Sequence, residues 1–292
     1  MKLFFTPSTQ HLALNIDGAK EAYISKRFSD GEKYIRIEKA VKGIVWVIAN
    51  TNPPAENLLE LFFLLDALNR QTTRINLFFP YFAYARQDRI TQKGECLGGK
   101  VICDFLRYFK PRKVIVFHMH SRRIKRYFDY EDLLPLQLVS PLAREVDAIV
   151  APDKGGVPFA KMVGKECGMP VIRIEKKRIT DEKVEIIEVS GEVKGKKVMI
   201  VDDMIATGGT IVKATEKLLS EGAKEVEVYA THGIFSGDAK QTLERSPIKQ
   251  IYVTNSLPQR VEGKIKILDI SGLLKEVIKN KFFMKNRLQN YN

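Results

Sequence analysis

Cysteine, histidine and long apolar runs are scarce in this 292-residue chain, and each shortage closes a class of function. Cys96, Cys103 and Cys167 are too few and too far apart for a disulfide framework or a four-thiolate zinc site. Inert thiols in a reducing cytosol are the expectation. The longest apolar run, "LLELFFLLDAL", is cut by Glu60 and Asp66, so no membrane span is expected. Met1–Phe5 is apolar, but Pro7, Ser8 and Gln10 end it before a signal-peptide core forms, and a cytoplasmic protein is predicted. Zinc-finger spacing and an aromatic RNA-binding signature are also missing, which disfavours nucleic acid as the partner for a net charge of +13. Anionic small molecules such as phosphate esters attract the same charge.

What the chain does have is a repeated α/β pattern. A composition of 45% hydrophobic and 28% charged residues suits a globular protein of two domains. "GIVWVIANT" from Gly43 reads as a buried strand, followed by a helix from Ala55 to Asn69 and a strand "INLFFPY". About 150 residues later the order recurs as "KVMIVDD", a helix from Thr210 to Glu221, and "VEVYATH". "KVIVFHMH" at 113–120 is paired on the same spacing with "KIKILDIS" at 264–271. Apolar runs alternating with amphipathic helices predict parallel sheets covered on both faces. The expected fold is α/β, two tandem doubly wound parallel-sheet domains related by internal duplication. Their expected bounds are 1–140 and 141–292, joined near "VSPLAREVD", with a final helix free to pack back on the first domain.

The two copies differ after their first long strand. "ANTNPPAENL" has neither paired carboxylates nor glycines, whereas "VDDMIATGGT" has both. Gly208 and Gly209 allow close backbone approach, Thr207 and Thr210 add hydroxyls, and the next helix offers unpaired N–H groups. These features suit a phosphate monoester. The loop lacks the Lys of a Walker motif and does not match G-x-G-x-x-G. Asp202 and Asp203, read as a strand end, suit vicinal hydroxyls or magnesium waters, so the pair of pockets describes a ribose 5-phosphate. A mere strand cap and a receiver domain are the competing readings. Receiver acids open their domain, whereas about ninety residues follow Asp203 here.

"VDDMIATGGT" resembles the phosphoribosyl-diphosphate loop of type I phosphoribosyltransferases. "RFSDGEKYIRI" at 27–37 and "FPYFAYARQDR" at 79–89 resemble the ATP-site motifs of ribose-phosphate diphosphokinases, the phosphoribosyl-diphosphate (PRPP) synthetases. With "APDKGGVPFA" and "IEKKRI", the likeness spans nearly the whole chain.

The resemblance implies transfer of a diphosphoryl group from MgATP to ribose 5-phosphate. It assigns Phe28, Asp30, Gly31 and Glu32 to the adenine pocket and Arg86, Gln87 and Asp88 to ATP. Asp202, Asp203, Ala206, Thr207, Gly208, Gly209, Thr210 and Arg178 would hold the sugar phosphate. Lys176 and Arg178 would stabilise the migrating group, although "EKKRITDEKVEII" taken alone reads more readily as a plain exposed β-hairpin. His120 and Asp153 would hold Mg2+. Here His118 stands where the family motif Asp-x-His has its acid, and Ala206 where relatives often carry an acid. His118 and His120, on one face of a strand, also raise zinc as the weaker alternative to magnesium. A homo-oligomer with a site shared between subunits is implied. The rival readings are a phosphoribosyltransferase that consumes PRPP, a non-catalytic regulatory homologue and, distantly, a nucleic-acid binder.

Overall fold

A computed structural model describes residues 1–16, 22–178, 185–260 and 263–279, with the side chains of 176–178 and 185–187 left out. The chain divides into two compact units. The first comprises Met1–Leu134, Ser256–Pro258 and the chain from Asp269 onward, and the second comprises Pro135–Asn255 and Gln259–Leu268.

In the first unit, β1 (Lys2–Phe5) is followed by α1 (Gln10–Ala13) and by a separate two-stranded hairpin, β2 (Ile24–Arg27) and β3 (Lys33–Arg36). Then come β4 (Val45–Ile48), α2 (Glu56–Asn69), β5 (Ile75–Phe79), α3 (Gly98–Tyr108), β6 (Lys113–Phe117) and β7 (Glu131–Leu133). The five-stranded sheet has the order β1-β4-β5-β6-β7, with every pair parallel. Its inner strands β4, β5 and β6 are mostly apolar because both faces are buried, whereas the edge strand β7 carries Glu131 and Asp132. Phe4, Val45, Val47, Leu77 and Val116 pack with Leu61, Leu64, Leu65 and Leu68 of α2. The alternate residues Leu3, Phe5, Trp46, Ile48, Phe78 and Ile115 are buried as well.

The second unit begins with α4 (Leu136–Ala143), so Val139–Ala143 of the expected junction are helical, and the change of unit falls at Leu134–Pro135. There follow β8 (Ala148–Ala151), α5 (Val157–Cys167), the hairpin β9 (Val171–Arg178) and β10 (Glu185–Val189), β11 (Lys197–Ile205) and α6 (Gly209–Ser220). The unit closes with β12 (Glu225–Gly233), α7 (Ala239–Arg245), β13 (Gln250–Thr254) and β14 (Ile265–Leu268). The seven-stranded order is β10-β9-β8-β11-β12-β13-β14, antiparallel only between β9 and β10. Val198, Ile200, Val228 and Ala230 face one core, and Met199, Val201 and Tyr229 face another. That period of two is the signature of a sheet covered on both sides. The last helix, α8 (Ser271–Ile278), is grouped with the first unit, and Asn15 Nδ2 donates to Asp269 Oδ2 at 3.2 Å.

The duplication is visible as topology, and it corrects one pairing. β4-β5-β6-β7 matches β11-β12-β13-β14, so "KVIVFHMH" corresponds to β13, "QIYVT", and not to "KIKILDIS". β14 instead answers β7. Equal spacing along the chain misled because the stretch between β5 and β6 is longer than that between β12 and β13. Among the described residues, no helix is long and apolar enough to cross a membrane.

Candidate functional site

The Thr-Gly-Gly-Thr turn is built as a helix start with its N–H groups left open. β11 runs through Asp202 and Asp203 to Ile205, two residues past the carboxylates, so the acids sit within the strand instead of ending it. Gly208 then takes φ +81, a left-handed conformation that disfavours any side chain, and a Cβ there would also lie 3.1 Å from Leu243 of α7. α6 starts at Gly209 with no side-chain cap, and a Cβ on Gly209 would meet open space. Uncapped N–H groups at a positive helix end suit a phosphate. The turn is braced from behind. Ser236 N–H donates to Ala206 O at 2.9 Å, and Ile234 N–H donates to Ile205 O at 2.9 Å. This "HGIFSG" segment at 232–237 was missed by sequence reasoning, since it carries neither an acid nor a phosphate-loop pattern.

Three carboxylates converge beside the turn. Asp203 N–H donates to Asp202 Oδ1 at 2.8 Å. Burial first, then the charges of Asp203 and Asp153, hold the Asp202 carboxyl well above the usual carboxylate range. Asp153 reaches the site through the Asp-Lys-Gly-Gly turn before α5. Gly156 N–H donates to its Oδ1 at 3.0 Å, and a Cβ on Gly156 would lie 3.6 Å from Val201 O. Such a cluster can be relieved by sugar hydroxyls, which donate, or by a cation.

Lys176 and Arg178 lie on β9, paired in backbone register with Ile187 and Glu185 of β10. They stand two residues apart on that strand. Their side chains lie outside the described residues, as do residues 179–184 of the expected catalytic loop.

In the first unit, the second copy's acids are replaced by Asn50 and Thr51. Their side chains accept from Tyr81 N–H at 2.8 Å and Ala83 N–H at 2.7 Å, which shapes the loop carrying Arg86 and Gln87. Both of those side chains are exposed. Gly98 leaves room for Gln87, because a Cβ there would stand 2.3 Å from its Oε1. Asp88 points inward. Ser121 Oγ donates to its Oδ2 at 2.6 Å, and Arg123 lies 3.9 Å away. It thereby ties this loop to the segment bearing His120.

The histidines differ from expectation. β6 ends at Phe117, and His118 adopts φ +50, so strand alternation stops before the pair. His118 is buried and its N–H donates to Leu133 O at 2.9 Å, while His120 is exposed. They do not share a strand face, which removes the geometric basis for zinc. Among the described residues, no group of three or more His, Cys, Asp or Glu side chains is placed to hold a metal ion.

The Phe28–Glu32 turn caps the β2–β3 hairpin. Gly31 has φ +95, Phe28 N–H donates to Glu32 O at 2.9 Å, and Glu32 N–H donates to Asp30 Oδ1 at 3.0 Å. Phe28 is half exposed and meets Tyr34 edge-on at 5.5 Å. An aromatic face and two carboxylates thus stand on a defined turn.

The chain is similar to known proteins in both sequence and fold. Residues 1–109 match the sequence model of the N-terminal domain of ribose phosphate pyrophosphokinase, and 154–289 that of the phosphoribosyl synthetase-associated domain. The chain is 37% identical to the ribose-phosphate pyrophosphokinase of Vibrio vulnificus (strain YJ016), over 96% of this chain and 95% of that one. It is also 37% identical to the enzyme of that name from Aquifex aeolicus (strain VF5), over 86% and 85% respectively. The chain belongs to the ribose-phosphate pyrophosphokinase family. The crystal structure of phosphoribosylpyrophosphate synthetase from Mycobacterium smegmatis is similar throughout, with a TM-score of 0.87, 30% identity and coverage of 96% of this chain and 98% of that one. Past the left-handed backbone at His118, Met119 N–H donates to Asp132 Oδ1 at 2.9 Å, so an acid from β7 stands beside this turn.

Proposed function

We propose that the chain is a ribose-phosphate diphosphokinase, which transfers the β,γ-diphosphoryl group of MgATP to O1 of ribose 5-phosphate and yields PRPP and AMP. The observation that carries this reading is the near-full-length match, which includes both the first unit with its ATP-site motifs and the second with its phosphate turn. A phosphoribosyltransferase would account for the second unit alone.

In this mechanism O1 forms a bond to the β-phosphorus as the bond to the oxygen bridging α- and β-phosphorus breaks, and AMP leaves. Little covalent help is needed; positioning and cations do most of the catalysis. Ala206, Thr207, Gly208, Gly209 and Thr210 hold the 5-phosphate through N–H and hydroxyl groups. Asp202 and Asp203 accept from the ring hydroxyls. Phe28, Asp30, Gly31 and Glu32 receive the adenine, and Arg86 and Gln87 hold the triphosphate, with Asp88 bracing their loop. Lys176 and Arg178 meet the charge of the migrating group.

The charge of Asp203 and Asp153 around Asp202 is what a nearby cation would offset, with substrate oxygens and waters completing its shell. Magnesium suits it better than a metal bound wholly by protein, because Mg2+ keeps several waters and takes phosphate oxygens. Asp153 and, by the resemblance, His120 are the candidate protein contacts for magnesium, which would neutralise phosphate charge. The reading places the enzyme in the cytoplasm as a homo-oligomer, with the Phe28–Glu32 turn entering a neighbouring subunit's site.

Label at the β-phosphorus of ATP tests the reaction class. It should move entirely to the sugar while label at the α-phosphorus stays with AMP. Transfer of γ-label alone, leaving ADP, would contradict the reading.

A further inference from the structure

We propose that Glu60 is a positioning residue for the nucleotide site, setting the Phe28–Glu32 turn through a buried carboxylate that grips both arms of its hairpin. This rests on the reading of that turn as the adenine pocket.

The hairpin needs such a hold. β2 and β3 form a sheet of their own, joined to no strand of the five-stranded sheet. A lone two-stranded hairpin is at best marginally stable in water. Its tip, from Arg27 to Glu32, is exposed, so the tip contributes little burial to its own order. What anchors the hairpin is α2, against which β3 packs.

Glu60 lies in the middle of α2 and is 1% exposed. A buried carboxylate in an otherwise leucine-lined helix is costly unless fully partnered. Among the described residues, its partners come from the hairpin and from Tyr23 immediately before it. Tyr23, just before β2, donates its hydroxyl to Oε1 at 2.7 Å. Ser25 within β2 donates to Oε2 at 3.0 Å, and the Lys33 ammonium, at the first residue of β3, pairs with the same oxygen. Burial, and then Glu60 itself, push the Tyr23 phenol far up, so it remains a donor. Lys33 pairs across the hairpin with Arg27, the residue that opens the turn. The carboxylate therefore clamps the hairpin at the base of the tip. One helical turn earlier on α2, Glu56 reaches Arg27 at 3.6 Å, an exposed contact that adds little.

An apolar side chain at position 60 would bury area without direction. Three directional partners instead select one register for the two strands, and with it the placement of Phe28, Asp30 and Glu32 relative to the helix. A one-residue slip would turn Phe28 to the opposite side.

The test compares Glu60→Gln, Ser25→Ala and Phe28→Ala in the full-length enzyme. Glu60→Gln should raise KM for ATP by about tenfold while KM for ribose 5-phosphate stays within about twofold, as for loss of one charge-assisted bond at a remote site. Amide exchange across 24–36 should accelerate in the same variant and remain unchanged in the phosphate turn. Ser25→Ala leaves the Glu60–Lys33 pair intact, so it keeps the test decisive if Glu60→Gln fails to fold. It should show the same one-sided change at about threefold. If Phe28→Ala raises KM for ATP and neither of the other two does, Glu60 has no positioning role. Equal losses for both substrates would likewise overturn the proposal. An unchanged KM for ATP in Phe28→Ala would instead show that the turn is not the adenine pocket.

Discussion

Lys176 and Arg178, two residues apart on β9, are proposed to meet the charge of the migrating group, so a truncation at either should act on turnover before it acts on folding. Lys176→Ala should lower kcat by a hundredfold or more, roughly 3–4 kcal/mol of transition-state stabilisation, with near-native substrate affinity. Steady-state rates close to wild type would remove it from the mechanism. Asp202 makes a demand of the opposite kind. Its raised pKa means that the fold favours the protonated carboxyl, so this contribution to stability is present at acid pH and lost as pH rises through the shifted value. Asp202→Asn should therefore melt higher than wild type at pH 8 in the absence of ligand, with a gap that narrows toward pH 4. The same variant should bind ribose 5-phosphate more weakly by about 1.5–3 kcal/mol and ATP almost normally. A variant that melts lower at pH 8, or that loses both substrates equally by calorimetry, would count against a carboxylate cluster built for the sugar. Of the cysteines, Cys103 agrees with its expected inertness, as burial pushes its thiol up to about 12.

At the scale of elements, the phosphate turn depends on one backbone conformation. Gly208→Ala should cost about 1–2 kcal/mol for its left-handed φ, more if Leu243 cannot shift, and should lower the melting temperature and phosphate affinity together. An unchanged melting temperature would mean that the turn relaxes freely. This element was legible in "VDDMIATGGT" because glycines, hydroxyls and a following amphipathic helix have a common local cause. The strands β4, β5, β11 and β12 were legible for a similar reason, as buried parallel strands are apolar on both faces. β13 was not, since "QIYVT" is short and opens on a polar residue, and the even spacing of β14 took its place. Strand alternation failed at His118 because a positive φ leaves no trace in the composition around it. Nor could the sequence show the brace of "HGIFSG" or the grip of Glu60 on Tyr23, Ser25 and Lys33. Such contacts join residues far apart in the chain, and only folding brings them together.

For the whole molecule, the Phe28–Glu32 turn, proposed for the adenine, belongs to the first unit, and the Thr207–Thr210 turn, proposed for the phosphate, to the second. If the adenine turn serves a neighbouring subunit, no isolated chain is competent, and the smallest active unit is a symmetric dimer. Glu32→Ala subunits mixed with Lys176→Ala subunits should then show more activity than the two apart, because one hybrid site is wholly native. Subunit exchange seen by mass spectrometry with no such gain would refute the shared site. The central claim, that this chain joins ATP to a sugar phosphate by moving two phosphoryl groups as one, is tested most directly by phosphorus NMR of the pure protein with ribose 5-phosphate, ATP and magnesium. The account predicts that AMP and a sugar bearing a new diphosphate appear together in equal amounts as ATP declines. Accumulation of ADP with a singly phosphorylated position, or no turnover at all, would contradict it.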